Sequence, residues 1–297
     1  MHKVSHQSSC FALSRLKGYR VLWHSTNFCP YNCSYCFCSS SPAETKVDSN
    51  SLAVQEYVKE LTKYDQISEL LITGGEPLSI IEDVDSMIRT VKRDGLTIKV
   101  SSTLMSEKLT CRLANMRPDV VNMSCNPRSP QIGDAPVKSN FPLIRSRATL
   151  LSEKNVPVKI TSVLTNSNVE FLDECADFLK TLTAELSNIR CLVFQFCFPL
   201  GRGIDEQSID IDRKAKAKDR IFQILSESTI DVRITDLDDE LQVNGKPERV
   251  VGIYPNGSIS LSPVAGIALA SCGLSIHNTE PKELILILDQ QWRDFLP

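Results

Sequence analysis

Three closely spaced cysteines are the residues of this sequence whose type and spacing point most directly to chemistry. Cys29, Cys33 and Cys36 stand at intervals of four and three within NFCPYNCSYC, residues 27–36. A structural zinc site takes four protein ligands, and its cysteines come in pairs. An iron–sulfur cube of four irons also takes four ligands. Three thiolates leave one metal position open, which is how a catalytic site differs from a structural one, unless Cys38 supplies the fourth ligand.

A second short motif, TGGEP at residues 73–77, has groups suited to holding a ligand. Gly74 and Gly75 carry no side chain, so the backbone can approach a ligand closely. Glu76 offers a carboxylate that suits an ammonium group. Gly-Gly turns are common, however, and a βα turn with a solvated glutamate explains this motif equally well when it is considered alone.

Both motifs follow segments that we predict to be strands, in a chain where strands and helices alternate. Apolar, β-branched runs predict strands over 20–26, 67–73, 96–103, 119–125, 156–165 and 189–196. Apolar residues at helical spacing predict helices over 51–64, 80–95, 106–116, 141–155 and 168–186. Six such alternations imply a parallel sheet with right-handed crossovers. We expect an α/β fold that closes as an open, partial (β/α)6 barrel, with a doubly wound open sheet as the alternative.

In either fold the carboxyl ends of the strands carry the chemistry. The cysteines follow the first predicted strand and TGGEP follows the second. The two motifs therefore lie at the same edge of the sheet, one strand apart, which raises the significance of TGGEP.

The pattern changes towards the C-terminus. A polar, charged stretch over 201–220 precedes a helix, and a last helix is predicted over 281–295. Between them, the segments 231–236, 248–254 and 258–263 resemble antiparallel strands, the last two joined by an Asn-Gly turn. We therefore predict a leader over 1–19, the partial barrel over 20–204 and an extension over 205–297 that caps the barrel.

Composition excludes several classes of protein. The chain has 297 residues, of which 42% are hydrophobic and 23% charged, and its formal net charge is −3, as in soluble globular proteins. Without a long basic run, a nucleic-acid partner is not expected. No signal-peptide core and no run of about 18 apolar residues is present, so we expect a cytoplasmic protein without a membrane span. We therefore do not expect the eleven cysteines to form a disulfide framework.

At this point the sequence resembles the radical S-adenosylmethionine (SAM) enzymes, over roughly residues 20–203. Their signature is Cys-x3-Cys-x2-Cys with an aromatic residue before the last cysteine, and it is matched by Cys29, Cys33, Tyr35 and Cys36. GGEP, residues 74–77, matches the segment with which the family binds the SAM amino group. The two motifs occur in the family's order, on the first two of six strands.

The resemblance implies a [4Fe–4S] cluster on the three cysteines, with the SAM amine and carboxylate on the fourth iron. One electron, from a donor such as flavodoxin or ferredoxin, would cleave SAM to methionine and a 5′-deoxyadenosyl radical. This radical abstracts hydrogen from the substrate. The cofactors carry the difficult chemistry, and the protein orients and shields them.

The resemblance also implies further SAM contacts. Ser101 and Ser102, in VSST, match the ribose-contacting position, and strand alternation allows only one of them to face inward. In MSCN, Ser124 and Asn126 match another contact, although many relatives have an acidic residue where Asn126 stands. Further candidates are Gly74, Gly75, Glu76 and Pro77 around the amino group, Ser162 on strand five, and Leu200 in FPLGRG near the adenine. Arg145 or Arg147 would meet the SAM carboxylate, with a solvated helix cation as the equal alternative.

The C-terminal segment IYPNGSISLSPVAG...SCG echoes the start of the SPASM or twitch extension of peptide-modifying and sugar-dehydrogenating relatives. Ser262 stands near the position of the first expected cysteine, and only Cys272 follows. One thiol does not hold a second cube, so we expect no auxiliary cluster. A substrate radical ends by electron loss, by bond formation or by gaining a hydrogen atom. Without an auxiliary cluster electron loss is harder, and a thiol is a good hydrogen donor because its S–H bond is weak. Cys272 is the first candidate donor, with Cys197 and Cys125 as rivals, and the alternative for Cys272 is a buried remnant of the lost cluster site.

The sequence therefore predicts a radical SAM enzyme that acts on a natural product, a ribosomal peptide or a small metabolite, with epimerisation among the possible reactions. One alternative is a viperin-like nucleotide dehydratase, because VKITSVLT resembles strand five of the viperins. The other is a non-catalytic iron–sulfur or zinc protein that uses the signature cysteines together with Cys38. We otherwise expect Cys38 to be a free thiol.

Overall fold

The structure is a computed structural model, and it describes residues 18–128, 138–199, 201–204, 209–236, 250–262 and 273–294. The strands are β1 (Tyr19–His24), β2 (Ile67–Thr73), β3 (Thr97–Ser102), β4 (Val120–Ser124), β5 (Val158–Leu164), β6 (Ile189–Phe196), β7 (Asp231–Thr235), β8 (Val250–Ile253) and β9 (Ile259–Ser262). The α-helices are α1 (Ser51–Leu61), α2 (Ile81–Val91), α3 (Glu107–Met116), α4 (Phe141–Glu153), α5 (Leu172–Glu185), α6 (Ile211–Leu225) and α7 (Pro281–Asp294). Among these helices none is long and apolar enough to cross a membrane.

All the strands belong to one sheet, in the order β7-β6-β5-β4-β3-β2-β1-β8-β9. From β1 to β6, each strand pairs in parallel with the next one along the chain. This confirms the predicted α/β class and the parallel sheet. The order has two ends, β7 and β9, so the sheet is not closed and the barrel is partial, as expected.

The helices cover the outer face of the sheet because their apolar residues recur at helical spacing. In α1, Val54, Val58 and Leu61 are buried, whereas Leu52, Glu56 and Glu60 are exposed. α3 begins after Ser106, whose hydroxyl accepts a hydrogen bond from the Leu109 amide, and ends at Arg117, which has a left-handed backbone (φ 52°). The inner face of the sheet is thereby left for side chains that line the barrel.

The C-terminal strands extend the same sheet on both sides. β8 and β9 form the predicted antiparallel hairpin, but β8 also pairs in parallel with β1. The antiparallel expectation for β7 is wrong, because β7 pairs in parallel with β6. α6 supplies the crossover between β6 and β7 and packs against α5. A domain boundary near residue 205 stays a prediction, since the sheet continues across it.

α6 begins inside the stretch that the sequence analysis treated as polar connection. The Asp210 carboxylate accepts a hydrogen bond from the Arg213 amide and so caps the helix. Ala217, Ile221 and Leu225 recur every four residues and are buried. Lys214, Lys216 and Lys218 alternate with alanines in the first half of the helix, so the apolar stripe becomes clear in the sequence only from Ile221 onward.

Candidate functional site

A cavity of about 300 Å³ lies among the loops at the carboxyl ends of β1 to β6 and extends along the inner face of the sheet as far as Asn122 and Lys159. Its wall brings together the three signature cysteines, both glycines of TGGEP, and hydroxyl groups from several strands. Lys138, Lys159 and Arg202 supply positive charge to it, whereas among the residues that the structure describes no aspartate or glutamate lines it. The wall is therefore suited to a negatively charged or zwitterionic occupant.

The cysteines occupy the loop that follows β1. Cys29 and Cys33 are buried and Cys36 is half-buried, and all three are free thiols that line the cavity. Burial raises the pKa of Cys29 to about 11, so a free thiol there holds its proton at neutral pH. A coordinating thiol is deprotonated by its metal. The Lys138 ammonium lies 3.5 Å from the Cys33 sulfur, where it would stabilise a thiolate.

The three thiols lie on one loop beside the cavity. Within the described ranges, no three His, Cys, Asp or Glu side chains are placed to hold one metal ion. An iron–sulfur cube uses a separate thiolate for each iron, so three thiolates on one loop fit a cube with one open iron. The cavity beside the loop leaves room for a second cofactor.

Cys38 also lines the cavity, but its thiol faces a histidine. Its sulfur lies 3.5 Å from Nδ1 of the buried His24, whose ring stacks on Tyr254 at 4.4 Å. Burial raises the pKa of Cys38 well above its usual range and lowers the pKa of His24 to about 4. The pair is therefore a neutral thiol beside a neutral imidazole, consistent with the free thiol expected from the sequence.

The two glycines of TGGEP pack against the cysteine loop. The Gly75 amide donates to the Thr26 carbonyl at 2.7 Å, and the Glu76 amide donates to the Phe28 carbonyl at 2.9 Å. A Cβ atom on Gly75 would lie 2.1 Å from the Phe28 carbonyl oxygen, and Gly74 has a positive φ of 119°. The glycines thus permit close contact between the β2 and β1 loops, in addition to lining the cavity.

Glu76 is fully buried and lies outside the cavity wall. Its Oε1 accepts hydrogen bonds from the Leu78 amide at 3.1 Å and the Ser102 hydroxyl at 2.6 Å. Its Oε2 accepts from the amide and the hydroxyl of Thr103, at 2.8 and 2.5 Å. A carboxylate has about four acceptor sites, and these four donors fill them. The ammonium contact inferred from the sequence would require one donor to be displaced.

Arg202, in the short 3₁₀ helix Gly201–Ile204 after β6, fastens the other side of the cysteine loop. Its guanidinium donates to the carbonyls of Cys33 and Ser40, both at 2.8 Å, and its amide donates to the Cys36 carbonyl at 3.0 Å. Gly201 has a positive φ of 55°, and a Cβ there would lie 2.3 Å from the Phe37 carbonyl oxygen. The role of Arg202 was not predicted from the sequence, where the glycines on either side of it were the available signal.

Four of the side chains inferred as SAM contacts do line the cavity: Tyr35, Ser101, Ser102 and Ser124. Ser102 is the last residue of β3, and its hydroxyl donates to the buried Glu76 carboxylate, whereas Ser101 is the register partner of Asn122, which also lines the cavity. That only one of the two serines faces the ribose stays a prediction.

Several other inferred contacts lie away from the cavity wall. Pro77 is buried at the start of the 3₁₀ helix Pro77–Ile80. The Asn126 side chain donates to the Tyr35 hydroxyl and accepts from the Val163 amide, so it supports the wall from behind. The Ser162 hydroxyl donates to the Cys125 carbonyl and is buried.

The two arginines of α4 require the clearest correction. Arg145 forms an ion pair with Glu185 and lies over the Phe178 ring, while Arg147 lies 3.6 Å from Glu107. These contacts join α4 to its neighbouring helices on the outside of the sheet. Neither arginine lines the cavity, so neither is placed to meet a SAM carboxylate.

Of the three candidate hydrogen donors, the structure places Cys197 on the cavity wall. Cys125 is fully buried, with its sulfur 4.0 Å from that of Cys175, and it does not reach the cavity. Cys272 and the adenine-contact candidate Leu200 lie outside the described residues.

Comparison with known proteins gives matches of three kinds. The family model of the Radical SAM superfamily matches residues 23–182, which is more than half of the chain. The uncharacterized protein MJ0907 of Methanocaldococcus jannaschii is 23% identical over 165 residues. That alignment covers 52% of this chain and 56% of the relative, so the chain spans little more than half the length of that protein.

Two solved structures share the fold over nearly the whole chain. SuiB of Streptococcus suis, bound to S-adenosylmethionine, superposes with a TM-score of 0.65 at 13% identity, over 93% of this chain and 65% of SuiB. anSMEcpe with bound AdoMet and the Cp18Cys peptide superposes with a TM-score of 0.65 at 17% identity, over 92% of this chain and 81% of that one. These likenesses concern the fold, whereas the sequence match to the superfamily covers both motifs of the site. The chain therefore belongs to the radical SAM superfamily, whose members use a [4Fe–4S] cluster and S-adenosylmethionine.

Proposed function

We propose that this protein is a radical SAM enzyme that holds its cluster on Cys29, Cys33 and Cys36 and abstracts hydrogen from a substrate in the adjoining cavity. The observation that carries the proposal is the shared wall. Three free thiols, the Gly74–Gly75 turn and the hydroxyls of the β3 and β4 ends line one cavity. With its cofactors bound, such a site supplies a 5′-deoxyadenosyl radical.

The chain's own residues hold, orient and shield the cofactors. Lys138 offsets the negative charge of the thiolates, and Arg202 fixes the carbonyls of their loop. Gly74 and Gly75 present backbone to the SAM amino group, and Ser101 lies where the ribose is expected. Glu76 contributes by fixing the loops after β2 and β3. The electron donor would be a flavodoxin or ferredoxin in the cytoplasm.

The substrate that we favour is a peptide. SuiB has been solved with its precursor peptide SuiA, and anSMEcpe with the Cp18Cys peptide, and both share the fold of this chain. A small metabolite stays the alternative. Epimerisation would need a hydrogen donor on the face opposite SAM. Cys197, on the cavity wall, and Cys272 are the candidates for this role.

The test is anaerobic reconstitution of the wild type and of variants in which one cysteine is replaced by alanine. Cys29→Ala, Cys33→Ala and Cys36→Ala should each lose bound iron and 5′-deoxyadenosine formation together, because each thiolate holds one iron. Cys38→Ala and Cys111→Ala are matched controls and should retain both. Full iron and full 5′-deoxyadenosine in Cys36→Ala would show that the ligand assignment is wrong.

Loss of metal in Cys38→Ala, with no 5′-deoxyadenosine from the wild type, would instead support the four-cysteine structural site. For the epimerase hypothesis, turnover in deuterated water should place one solvent deuterium in the product. Normal turnover by both Cys197→Ala and Cys272→Ala, without deuterium in the product, would remove the thiol donor.

A further inference from the structure

The strand faces that line the cavity carry charged side chains farther from the cysteines. On β5, Lys159, Thr161 and Val163 alternate along one face, and all three line the cavity. Val163 packs beside Cys33 and Tyr35. Lys159 is four residues earlier, roughly 13 Å along the strand. It therefore lies at the end of the cavity remote from the cysteines, which we call the cavity floor.

The charged groups in the layer of side chains beyond the cavity floor are already paired. The buried Glu69 carboxylate lies between Arg20, at 3.1 Å, and Lys99, at 2.6 Å. Asp231 lies 2.8 Å from Arg233. Glu69 is on the same face of β2 as Leu71 and Thr73, which line the cavity, so this layer continues the wall. Both carboxylates of the layer are thus taken by cations other than Lys159.

The Lys159 ammonium has no ion pair or hydrogen bond within the part of the chain that the structure describes. Burial lowers the pKa of Lys159, and the charges of Lys99, Arg20 and Arg233 lower it further, against the opposite influence of Cys191. An anion beside the ammonium would relieve both effects, because it would replace lost hydration and offset the neighbouring positive charge.

A second polar group at the same place is also unpaired. Asn122 on β4 is the register partner of Lys159 and lines the cavity with it. Its side-chain oxygen is buried and has no hydrogen-bond partner among the described residues. Rotation of the amide by half a turn exchanges its oxygen and nitrogen, which would present N–H donors beside the ammonium. Thr161, one step nearer the cysteines, adds a hydroxyl.

We propose that the cavity floor binds an anionic group of the substrate, a carboxylate or a phosphate, through Lys159 with Asn122 beside it. The proposal deepens the proposed function, on which it rests for the identity of the cavity as the substrate site. A group held at the floor would direct the rest of the substrate towards the cysteine end, where hydrogen abstraction takes place. An acidic side chain of a peptide and a phosphate or carboxylate of a metabolite offer the same chemistry.

The experiment is calorimetric titration of the reconstituted, SAM-saturated holoenzyme with inorganic pyrophosphate and, separately, with glutarate. The wild type should bind at least one of the two. Preference for pyrophosphate would assign a phosphate-bearing substrate, and preference for glutarate a carboxylate. Lys159→Gln should weaken binding about ten- to a hundredfold, because it removes a charge-assisted hydrogen bond. Lys159→Arg keeps the charge and should retain most of the affinity.

Lys154→Gln is the matched control and should bind like the wild type, because Lys154 is an exposed lysine in the connection between α4 and β5. Equal binding by the wild type and Lys159→Gln would overturn the proposal, as would a wild type that binds neither probe. Should Lys159→Gln fail to fold, Lys159→Met replaces it, because methionine keeps an apolar stem without the charge. Its anion binding is then compared with that of the wild type.

Formation of 5′-deoxyadenosine by the same wild-type samples separates this inference from the proposed function. A wild type that forms it but binds neither anion contradicts the cavity-floor site alone. Anion binding that depends on Lys159, without 5′-deoxyadenosine, supports the cavity-floor site and contradicts the radical SAM activity.

Discussion

Among single residues, Glu76 shows best how a motif residue can serve the site without touching a ligand. Its four hydrogen bonds come from the loops that follow β2 and β3, so it joins two segments of the cavity wall. The buried carboxylate is also the N-cap of the 3₁₀ helix that precedes α2. A substitution here is expected to act on the protein before it acts on SAM.

We predict that Glu76→Gln lowers the free energy of unfolding of the cluster-free protein by about 1–3 kcal/mol. The glutamine amide replaces one acceptor oxygen by an N–H₂ group, which would face donors. Urea unfolding measures this change, and a SAM titration of the holoenzyme should show weaker binding as its consequence. Glu82→Gln, at an exposed glutamate, is the control and should stay within about 0.5 kcal/mol of the wild type.

Unchanged stability of the cluster-free Glu76→Gln protein, together with weaker SAM binding, would contradict this interpretation. It would instead favour the direct ammonium contact that the motif suggested. The two outcomes differ in a measurement made without SAM.

Between elements, the decisive contact is that of the β2 loop with the cysteine loop after β1. We predict that Gly75→Ala prevents full iron incorporation on reconstitution, because its methyl group would overlap the Phe28 carbonyl, immediately before Cys29. The loop must then move, which breaks the hydrogen bond from the Glu76 amide. Iron and sulfide analysis, with the cluster absorbance, measures the effect.

Gly95→Ala is the matched control, because a Cβ atom at Gly95, in the turn between α2 and β3, would meet only the end of the Arg93 side chain, at an ordinary contact distance of 3.8 Å. Its positive φ of 81° makes alanine somewhat strained there, at a cost of about 1 kcal/mol, without any contact with the site. Full iron in Gly75→Ala would show that the cysteine loop tolerates displacement.

The elements themselves were largely predictable, because periodicity of apolar residues is a local property. All six barrel strands and the helices between them occur near the predicted positions. β7 was predicted to be antiparallel because it precedes the hairpin strands in the sequence. The segment DVRIT does not reveal that its pairing partner is β6. The first half of α6 was missed because Lys214, Lys216 and Lys218 alternate there with alanines, and most of its buried apolar residues come later, at Ile221, Ile224 and Leu225. Pairing partners depend on tertiary packing, which local patterns do not contain.

The site was predictable to the extent that it depends on a motif. The cysteine signature and GGEP identified the cavity, but Lys138, Lys159 and Arg202 are single charged residues without a surrounding pattern. Lys159 offered one weak signal, because it is the only charged residue in the strand segment VPVKITSVL. Arg145 and Arg147 were misplaced because the sequence does not show which face of α4 packs against the sheet and which faces the neighbouring helices.

At the scale of the whole molecule, the C-terminal segments complete the sheet on both sides. β8 covers the edge of β1, β7 covers the edge of β6, and α7 packs against α1. The Tyr19 hydroxyl also lies 2.6 Å from the Asp289 carboxylate, which links the first strand to the last helix. The extension is thus part of the packing that supports β1, the strand from which the cysteine loop departs.

We predict that a chain ending at residue 204 does not fold as a stable unit, although the sequence suggested a boundary there. Truncation removes the fully buried Ile221, Val251, Ile253 and Leu284 from the core. Each contributes about 1.5–3 kcal/mol by burial, so the four together approach the typical stability of a domain, about 5–15 kcal/mol. The truncation also exposes the edges of β1 and β6, which favours aggregation.

The effect is measured by the soluble yield of the truncated chain and by its thermal unfolding, followed by circular dichroism and compared with that of the full chain. The opposite outcome is a truncated chain that is soluble, unfolds cooperatively near the melting temperature of the full chain and takes up a full cluster. That result would establish residues 205–297 as a separate domain. The barrel would then not need β7 and β8 to hold β1 and its cysteine loop in place.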